Sequence, residues 1–195
     1  MAKTAFVFGA SGLVGSNLYR QLLNNPDYEK VILIIRKPIV VVHPKAQEIS
    51  LSEYESFDFT GTSSLDLHAF CCLGTTIKKA GSKDEFKKVD YELPLKIAEW
   101  AKANGIETFV AVSSIGASSG SGNFYLKTKG EMEEAIKTLG IPRTVFVRPS
   151  LLMGNRNEFR LGEEIAKTMA GLMNLILFGS LKNTGLSMLQ KLQPQ

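Results

Sequence analysis

The sequence predicts an α/β protein with three layers, α/β/α, built on a doubly wound parallel sheet. Two observations predict this class. Short apolar runs typical of buried parallel strands recur along the chain, and segments with apolar residues at helical spacing separate them. The chain has 195 residues, 44% of them hydrophobic and 22% charged, which suffices to bury one core without disulfides. We therefore expect a single domain over residues 1–195, ending in a short helical segment at about 151–195.

The individual elements follow from the local pattern. Apolar runs predict strands at 5–8, 31–35, 68–73, 108–112 and 144–147, and a weaker pattern predicts one at 48–54. Leucines at helical spacing predict a helix after Gly12, and similar patterns predict helices at 86–103 and 123–139. We assign Glu131, Glu133 and Glu134 to the solvent face of the last helix.

Composition excludes several functional classes. The net charge of +4 comes from 23 basic and 19 acidic residues that are scattered and lack interleaved aromatic side chains, so we expect no nucleic-acid partner. Cys71 and Cys72 are adjacent and cannot form an ordinary disulfide, which suggests a reducing compartment. His43 and His68 have no partners at metal-ligand spacing, so we predict no metal site.

Two apolar stretches bear on location and partners. The first ends at Gly9 and is shorter than the apolar core of a secretory signal, so we predict a cytoplasmic protein. The second, residues 169–178, is too short to span a bilayer, and we expect no transmembrane segment. We expect it to form a buried helix or a contact surface for a second copy or a protein partner. The alternative is a helix that lies on a membrane surface.

A glycine-rich turn lies between the first predicted strand and the first predicted helix. Glycine permits a tight turn, lets backbone N–H groups approach a pyrophosphate, and allows close packing of helix on sheet. The helix N-terminus adds partial positive charge beneath the phosphates. Glycines also serve ordinary turns, but this position favours a Rossmann-type dinucleotide site. We assign these residues to it: Gly9, Ser11, Gly12, Leu13, Val14 and Gly15.

Arg36 and Lys37 follow the second predicted strand, where NAD-binding proteins usually have an acidic residue for the ribose 2′-hydroxyl. A guanidinium can instead bind a 2′-phosphate through two charge-assisted hydrogen bonds. We therefore favour NADP(H) over NAD(H) and assign Arg36 and Lys37 to the cofactor site. The alternative is that both are solvated loop cations.

Tyr125 and Lys129 are four residues apart on a predicted helix, so their side chains share a face. The spacing alone arises by chance, but Ser113 and Ser114 end a strand just before this helix, at the edge where doubly wound sheets bind ligands. Tyr125 would give a proton to a carbonyl oxygen, Lys129 would favour the ionised phenol, and Ser114 would stabilise the developing charge. Ser113 is the weaker candidate, because alternation along the strand directs it to the other face. The alternative is a packing tyrosine and a solvated lysine.

Taken together, these residues resemble the atypical branch of the short-chain dehydrogenase/reductase superfamily, and the Tat-interacting-protein-like NADP(H)-binding oxidoreductases within it. The resemblance covers roughly residues 3–182, in runs at 9–15, 73–76, 89–91, 112–117, 123–131, 148–150 and 158–163. It implies that the cofactor also contacts Ser113, Tyr125 and Lys129. It further implies that five other residues line the cofactor site: Leu73, Gly74, Thr75, Thr76 and Pro149.

Two departures from the family pattern stand out. Asp90 occupies a position where many relatives have an asparagine of a proton relay, which puts that relay in doubt. Residues 183–195 do not resemble the usual continuation, so we expect truncation or divergence there and an incomplete substrate pocket.

Three functional hypotheses remain open. The first is an NADP(H)-dependent oxidoreductase that transfers hydride to or from a small carbonyl or alcohol, with Tyr125, Lys129 and Ser114 as its catalytic residues. The second is an NADP(H)-binding regulatory or redox-sensing module with little catalysis. The third is a nucleotide-sugar epimerase or dehydratase, which ranks last because the sequence after Ser150 is too short for a sugar-nucleotide domain.

Overall fold

The computed structural model describes residues 3–59 and 66–149. Six strands in this part of the chain form one parallel sheet: β1 (Lys3–Phe8), β2 (Tyr28–Ile35), β3 (Ala46–Ser50), β4 (Asp66–Cys71), β5 (Thr108–Val112) and β6 (Arg143–Val147). Their spatial order is β3-β2-β1-β4-β5-β6. This is the order of a Rossmann-type doubly wound sheet, and it confirms the predicted fold class.

Helices cover both faces of the sheet. They are α1 (Leu13–Asn24), α2 (Ile77–Ala80), α3 (Lys83–Lys87), α4 (Leu93–Ala103) and α5 (Phe124–Thr138). On one face, Leu18 and Leu22 of α1 pack against alternate strand residues; on the other, Ile97 of α4 and Met132 of α5 pack against the remainder. Both faces are apolar because helices bury both, which explains why the central strands are continuous hydrophobic runs.

The strand register aligns the carboxyl ends of the strands at one edge. Phe8 is paired with Ile34 of β2 and with Cys71 of β4, and Val112 of β5 is paired with Val147 of β6. The loops that follow these strands therefore open on the same edge. In a doubly wound sheet this is the edge that binds ligands.

The predicted helix at 86–103 is a composite of α3, a π-helical turn (Lys88–Glu92) and α4. The Leu93 N–H donates to the Lys88 carbonyl, five residues back, and Pro94 follows with no N–H of its own. Because proline cannot donate the next helical hydrogen bond, the π turn absorbs the irregularity.

The weak strand predicted at 48–54 is displaced: β3 ends at Ser50, and a 3₁₀ turn (Tyr54–Ser56) follows. The short helix α2 was not predicted. The predicted C-terminal helical segment and the apolar stretch 169–178 lie outside the described residues. Within residues 3–59 and 66–149, no helix is both long and apolar enough for a membrane span.

Candidate cofactor and active site

The glycine turn after β1 packs α1 tightly against the sheet. Gly9 has a left-handed φ of +79°, and the Gly12 N–H donates to the Gly9 carbonyl at 2.9 Å. A Cβ added to Gly15 would lie 2.3 Å from the Gly9 carbonyl oxygen. Only glycine fits there, so the third glycine of the run has the close-packing role that the sequence predicted for it.

A cleft of about 240 Å³ opens beside this turn. Its lining includes Gly12, the N-cap of α1, which has no side chain, and the first turn of α1 has no acidic residue. The first N–H groups of a helix have no intrahelical partner, so this end of α1 offers donors and partial positive charge to a phosphate. The glycine turn and this helix end are a fitting cradle for a dinucleotide.

Six of the predicted cofactor residues line the cleft: Gly9, Ser11, Gly12, Arg36, Leu73 and Gly74. Several of the other predicted residues lie on the same edge of the sheet. The predicted cofactor residues that do not line the cleft are Leu13, Val14, Gly15, Lys37, Thr75, Thr76, Ser113, Tyr125, Lys129 and Pro149. Arg36 is an exposed residue at the rim, and among the described residues no acidic side chain accompanies it in the lining.

The cleft is also lined by four residues that the sequence does not predict as cofactor contacts: Ile34, Ile35, Leu51 and Cys72. Leu51 was hidden by the displaced strand assignment, because a strand that ends at Ser50 places residue 51 at the ligand-binding edge. Cys72 could be predicted as a lining residue, because it directly follows β4 at the ligand-binding edge.

The surroundings of the two thiols disfavour the thiolate form. Burial raises the pKa of both, that of Cys71 to about 11. Thiolate is the reactive form, so neither side chain has the low-pKa environment of a redox-sensing cysteine. Cys72 contributes an apolar wall to the cleft.

Lys129 is buried at the carboxyl end of β5. Its ammonium donates to the Val112 carbonyl oxygen at 3.3 Å and lies 2.7 Å from Oδ1 of Asp90. Tyr125 lies one turn earlier on α5, half-buried, with its ring 5.6 Å from that of Phe86. The sequence predicted the lysine and the tyrosine on one helix face but not the buried carboxylate beside the lysine.

The helix that carries both residues is fixed at its start and along its face. The Asn123 side chain caps α5 by accepting from the Leu126 N–H at 3.2 Å. A Cβ added to Gly130 would lie 2.2 Å from the backbone carbon of Ser118. The loop between β5 and α5 therefore rests directly on the helix, next to Lys129.

The two serines after β5 face different surroundings. The Ser113 hydroxyl donates to Oε1 of Glu133 at 2.5 Å, on the α5 side of the sheet. The Ser114 hydroxyl makes a longer contact of 3.3 Å with the Ile115 carbonyl. This division agrees with the alternation argument, and the role of Ser114 in catalysis stays a prediction.

The assignment of Glu133 to the solvent face is wrong. Glu133 is 1% exposed and accepts two hydrogen bonds from Arg148, one of them from Nε at 2.8 Å. Burial of this carboxylate is tolerated because a guanidinium and the Ser113 hydroxyl satisfy it. The cluster joins β5, α5 and the segment after β6.

The segment after β6 is also tied by backbone hydrogen bonds. The Ser113 N–H donates to the Val147 carbonyl at 2.7 Å, and the Ile115 N–H donates to the Pro149 carbonyl at 3.0 Å. Pro149 is thereby held beside the loop that carries Ser114. In residues 3–59 and 66–149, no group of three or more metal-ligating side chains comes together.

Comparison with known proteins decides the family. The model of the NAD dependent epimerase/dehydratase family matches residues 5–183, nearly the whole chain. The chain belongs to this family. Its relatives include Protein FMP52-1, mitochondrial, from Scheffersomyces stipitis, which is 39% identical over 181 residues, 92% of this chain and 76% of that protein. Protein HTATIP2 from Rattus norvegicus is 37% identical over 178 residues, 87% of this chain and 71% of that protein, which confirms the resemblance drawn from the sequence.

Solved structures support the fold. A short-chain dehydrogenase from Streptomyces avermitilis matches with a TM-score of 0.66 and 17% identity, over 91% of this chain and 86% of that one. MoeE5, in complex with UDP-glucose and NAD, matches with a TM-score of 0.56 and 18% identity, over 76% of this chain and 54% of that one. The matched part of this chain covers about half of MoeE5. This chain is an NAD(P)-binding Rossmann protein of the short-chain dehydrogenase/reductase type.

The prediction of a cytoplasmic protein is corrected by the same comparisons. Relatives from several yeasts, 37% to 39% identical, are named as mitochondrial proteins. The prediction rested on the missing core of a secretory signal, which separates secreted proteins from others but does not separate cytoplasm from mitochondrion.

Proposed function

We propose that the protein is an NADP(H)-dependent oxidoreductase that interconverts a small carbonyl compound and its alcohol. The observation that carries the proposal is the position of Lys129: it is buried against the end of β5, with Tyr125 one turn before it, on the same sheet edge as the glycine cleft. A phenol and an ammonium beside a dinucleotide cleft suit proton transfer coupled to hydride transfer.

The proposed chemistry divides between cofactor and protein. When bound, the nicotinamide supplies or accepts the hydride. The Tyr125 hydroxyl gives a proton to the carbonyl oxygen, and Ser114 donates a hydrogen bond to the same oxygen as negative charge develops there. Lys129 lies on the same face of α5 as Tyr125, and its ammonium is located at the carboxyl end of β5.

The preference for NADP(H) rests on Arg36. It follows β2 directly and lines the cleft. In the part of the chain that the structure describes, the lining includes no acidic side chain that would accept hydrogen bonds from a ribose 2′-hydroxyl. A guanidinium at this rim is suited to a 2′-phosphate.

The test is a screen of aldehydes, ketones and quinones with NADPH. Wild-type protein is expected to turn over at least one of them, and Tyr125→Phe to lower that rate about 10²- to 10⁴-fold, because the proton donor is lost. Tyr19→Phe removes the same hydroxyl from a buried tyrosine of α1 and should retain the wild-type rate. Full activity in Tyr125→Phe would exclude Tyr125 as the acid.

A regulatory NADP(H)-binding module is the second candidate. It is favoured by the Asp90 carboxylate beside Lys129, because an ammonium whose charge is neutralised by a carboxylate stabilises the ionised phenol of Tyr125 less. Tight NADPH binding without turnover in the screen would support this candidate. A nucleotide-sugar epimerase or dehydratase is the third candidate, and it agrees with the description of the family.

We infer a mitochondrial location from the names of the fungal relatives. A fluorescent fusion that stays diffuse in the cytoplasm of yeast would contradict this inference.

A further inference from the structure

Asp90 is a buried carboxylate in the π-helical turn Lys88–Glu92, only 1% exposed. Its two oxygens reach two different parts of the site. Oδ1 lies 2.7 Å from the Lys129 ammonium on α5, and Oδ2 accepts from the Thr75 N–H at 2.8 Å in the loop after β4. The Asp90 carboxylate therefore connects Lys129, the predicted catalytic lysine, to the loop after β4, which contains predicted cofactor residues.

This ion pair is buried. The side chains of Asp90 and Lys129 are only 1% and 3% exposed. In such surroundings a full charge acts over a longer range than it does in water. A negative charge beside the Lys129 ammonium therefore changes the electrostatic potential throughout the site.

We propose that Asp90 is a positioning residue that holds Lys129 to the loop at 72–76 and cancels the ammonium charge at the nicotinamide end of the site. This inference rests on the proposed function. The oxidised nicotinamide ring is a cation and the reduced ring is neutral. An uncompensated ammonium would therefore repel the oxidised cofactor selectively, and Asp90 removes that penalty.

The test compares the two redox forms of the cofactor and needs no substrate. The dissociation constants of NADP⁺ and NADPH are measured by fluorescence titration at low salt for the wild-type protein and for Asp90→Asn. The ratio of the NADP⁺ constant to the NADPH constant should rise about tenfold in Asp90→Asn. A purely structural defect weakens both forms alike and leaves the ratio unchanged.

Two further variants separate charge from shape. Asp84→Asn makes the same chemical change at an exposed position on α3 and should keep the wild-type ratio. Asp90→Glu retains the negative charge and should also keep the ratio, even if both affinities fall. A wild-type ratio in folded Asp90→Asn, or a tenfold rise in Asp90→Glu, would overturn the proposal.

Lys129→Gln covers the case in which Asp90→Asn does not fold. This variant leaves the carboxylate without the ammonium, so the ratio should fall below the wild-type value; an unchanged or higher ratio would contradict the proposal. If the wild-type protein binds neither nucleotide, the proposed function itself fails. If the wild-type protein binds both NADP⁺ and NADPH, but the ratio of their dissociation constants does not change in the Asp90 and Lys129 variants, only the role of Asp90 is contradicted.

Discussion

Arg36 is the residue on which the choice between the two cofactors depends. Its guanidinium lies at the rim of the glycine cleft, where a ribose 2′-phosphate would be bound. Replacing Arg36 by Ala should weaken NADPH binding roughly ten- to a hundred-fold and change NADH binding little, because only NADPH carries the extra phosphate. Titration of both nucleotides measures this. Arg20→Ala, at an exposed position on α1, is the matched control. Equal affinity of the wild-type protein for NADPH and NADH would contradict the assignment.

At this scale the sequence predicts residue types better than their partners. The glycine turn and Arg36 were found because each follows a strand in a fixed order along the chain. The partner of Glu133 was not found, since Arg148 comes from another element and only the folded sheet brings the two together. Asp90 was noticed as a departure from a family pattern, but its contact with Lys129 also depends on the packing of the π turn against α5.

At the scale of elements, α5 depends on its contact with the loop that precedes it. Alanine normally stabilises a helix interior by about 1 kcal/mol relative to glycine. At Gly130 the added methyl group would meet the Ser118 backbone at 2.2 Å, so Gly130→Ala should instead lower the free energy of unfolding by about 1–3 kcal/mol. Urea denaturation of the wild-type protein and the variant measures the difference.

The matched control for this prediction is Gly122→Ala. Gly122 belongs to the same loop, and a Cβ added there would meet nothing within 4 Å, so this variant should stay within about 0.5 kcal/mol of the wild-type protein. A Gly130→Ala protein that is more stable than the wild type would show that the loop moves away at little cost.

Elements were predicted well where both faces are buried and less well at edges. β5 was predicted with its observed bounds, because it lies between two strands and under helices. β3 is an edge strand whose residues are only partly buried, so its apolar pattern is weak and the prediction was displaced. The π turn before Pro94 breaks the helical period and could not be located from leucine spacing.

For the molecule as a whole, we expect a loss of stability in mild acid that comes from His68. Burial lowers the pKa of this imidazole, which contacts Tyr28 and Asp66 and is also faced by Lys3 and Arg143. The unfolded chain binds a proton at His68 more readily than the folded protein does. Stability should therefore fall as the pH drops below the ordinary imidazole value of 6.5.

Thermal unfolding at about pH 7 and about pH 5.5 measures this effect. His68→Gln should be less stable than the wild type at the higher pH, because the amide fits the Tyr28 and Asp66 contacts less well, but its midpoint should change less between the two values. His43→Gln is the control, since its half-buried ring lies in the loop after β2. An identical pH dependence in wild type and His68→Gln would assign the acid sensitivity to other groups.

The central claim, hydride transfer assisted by Tyr125, is tested most directly by following the hydride itself. NADPH deuterated at the transferred position of C4 is incubated with the carbonyl compounds of the screen, and the products are examined by mass spectrometry. Wild-type protein should produce an alcohol that carries one deuterium, and Tyr125→Phe should produce at least about a hundred-fold less of it. Hydride transfer assisted by Tyr125 would be excluded if NADPH binds but no deuterium reaches any carbonyl compound, or if Tyr125→Phe transfers deuterium at the wild-type rate.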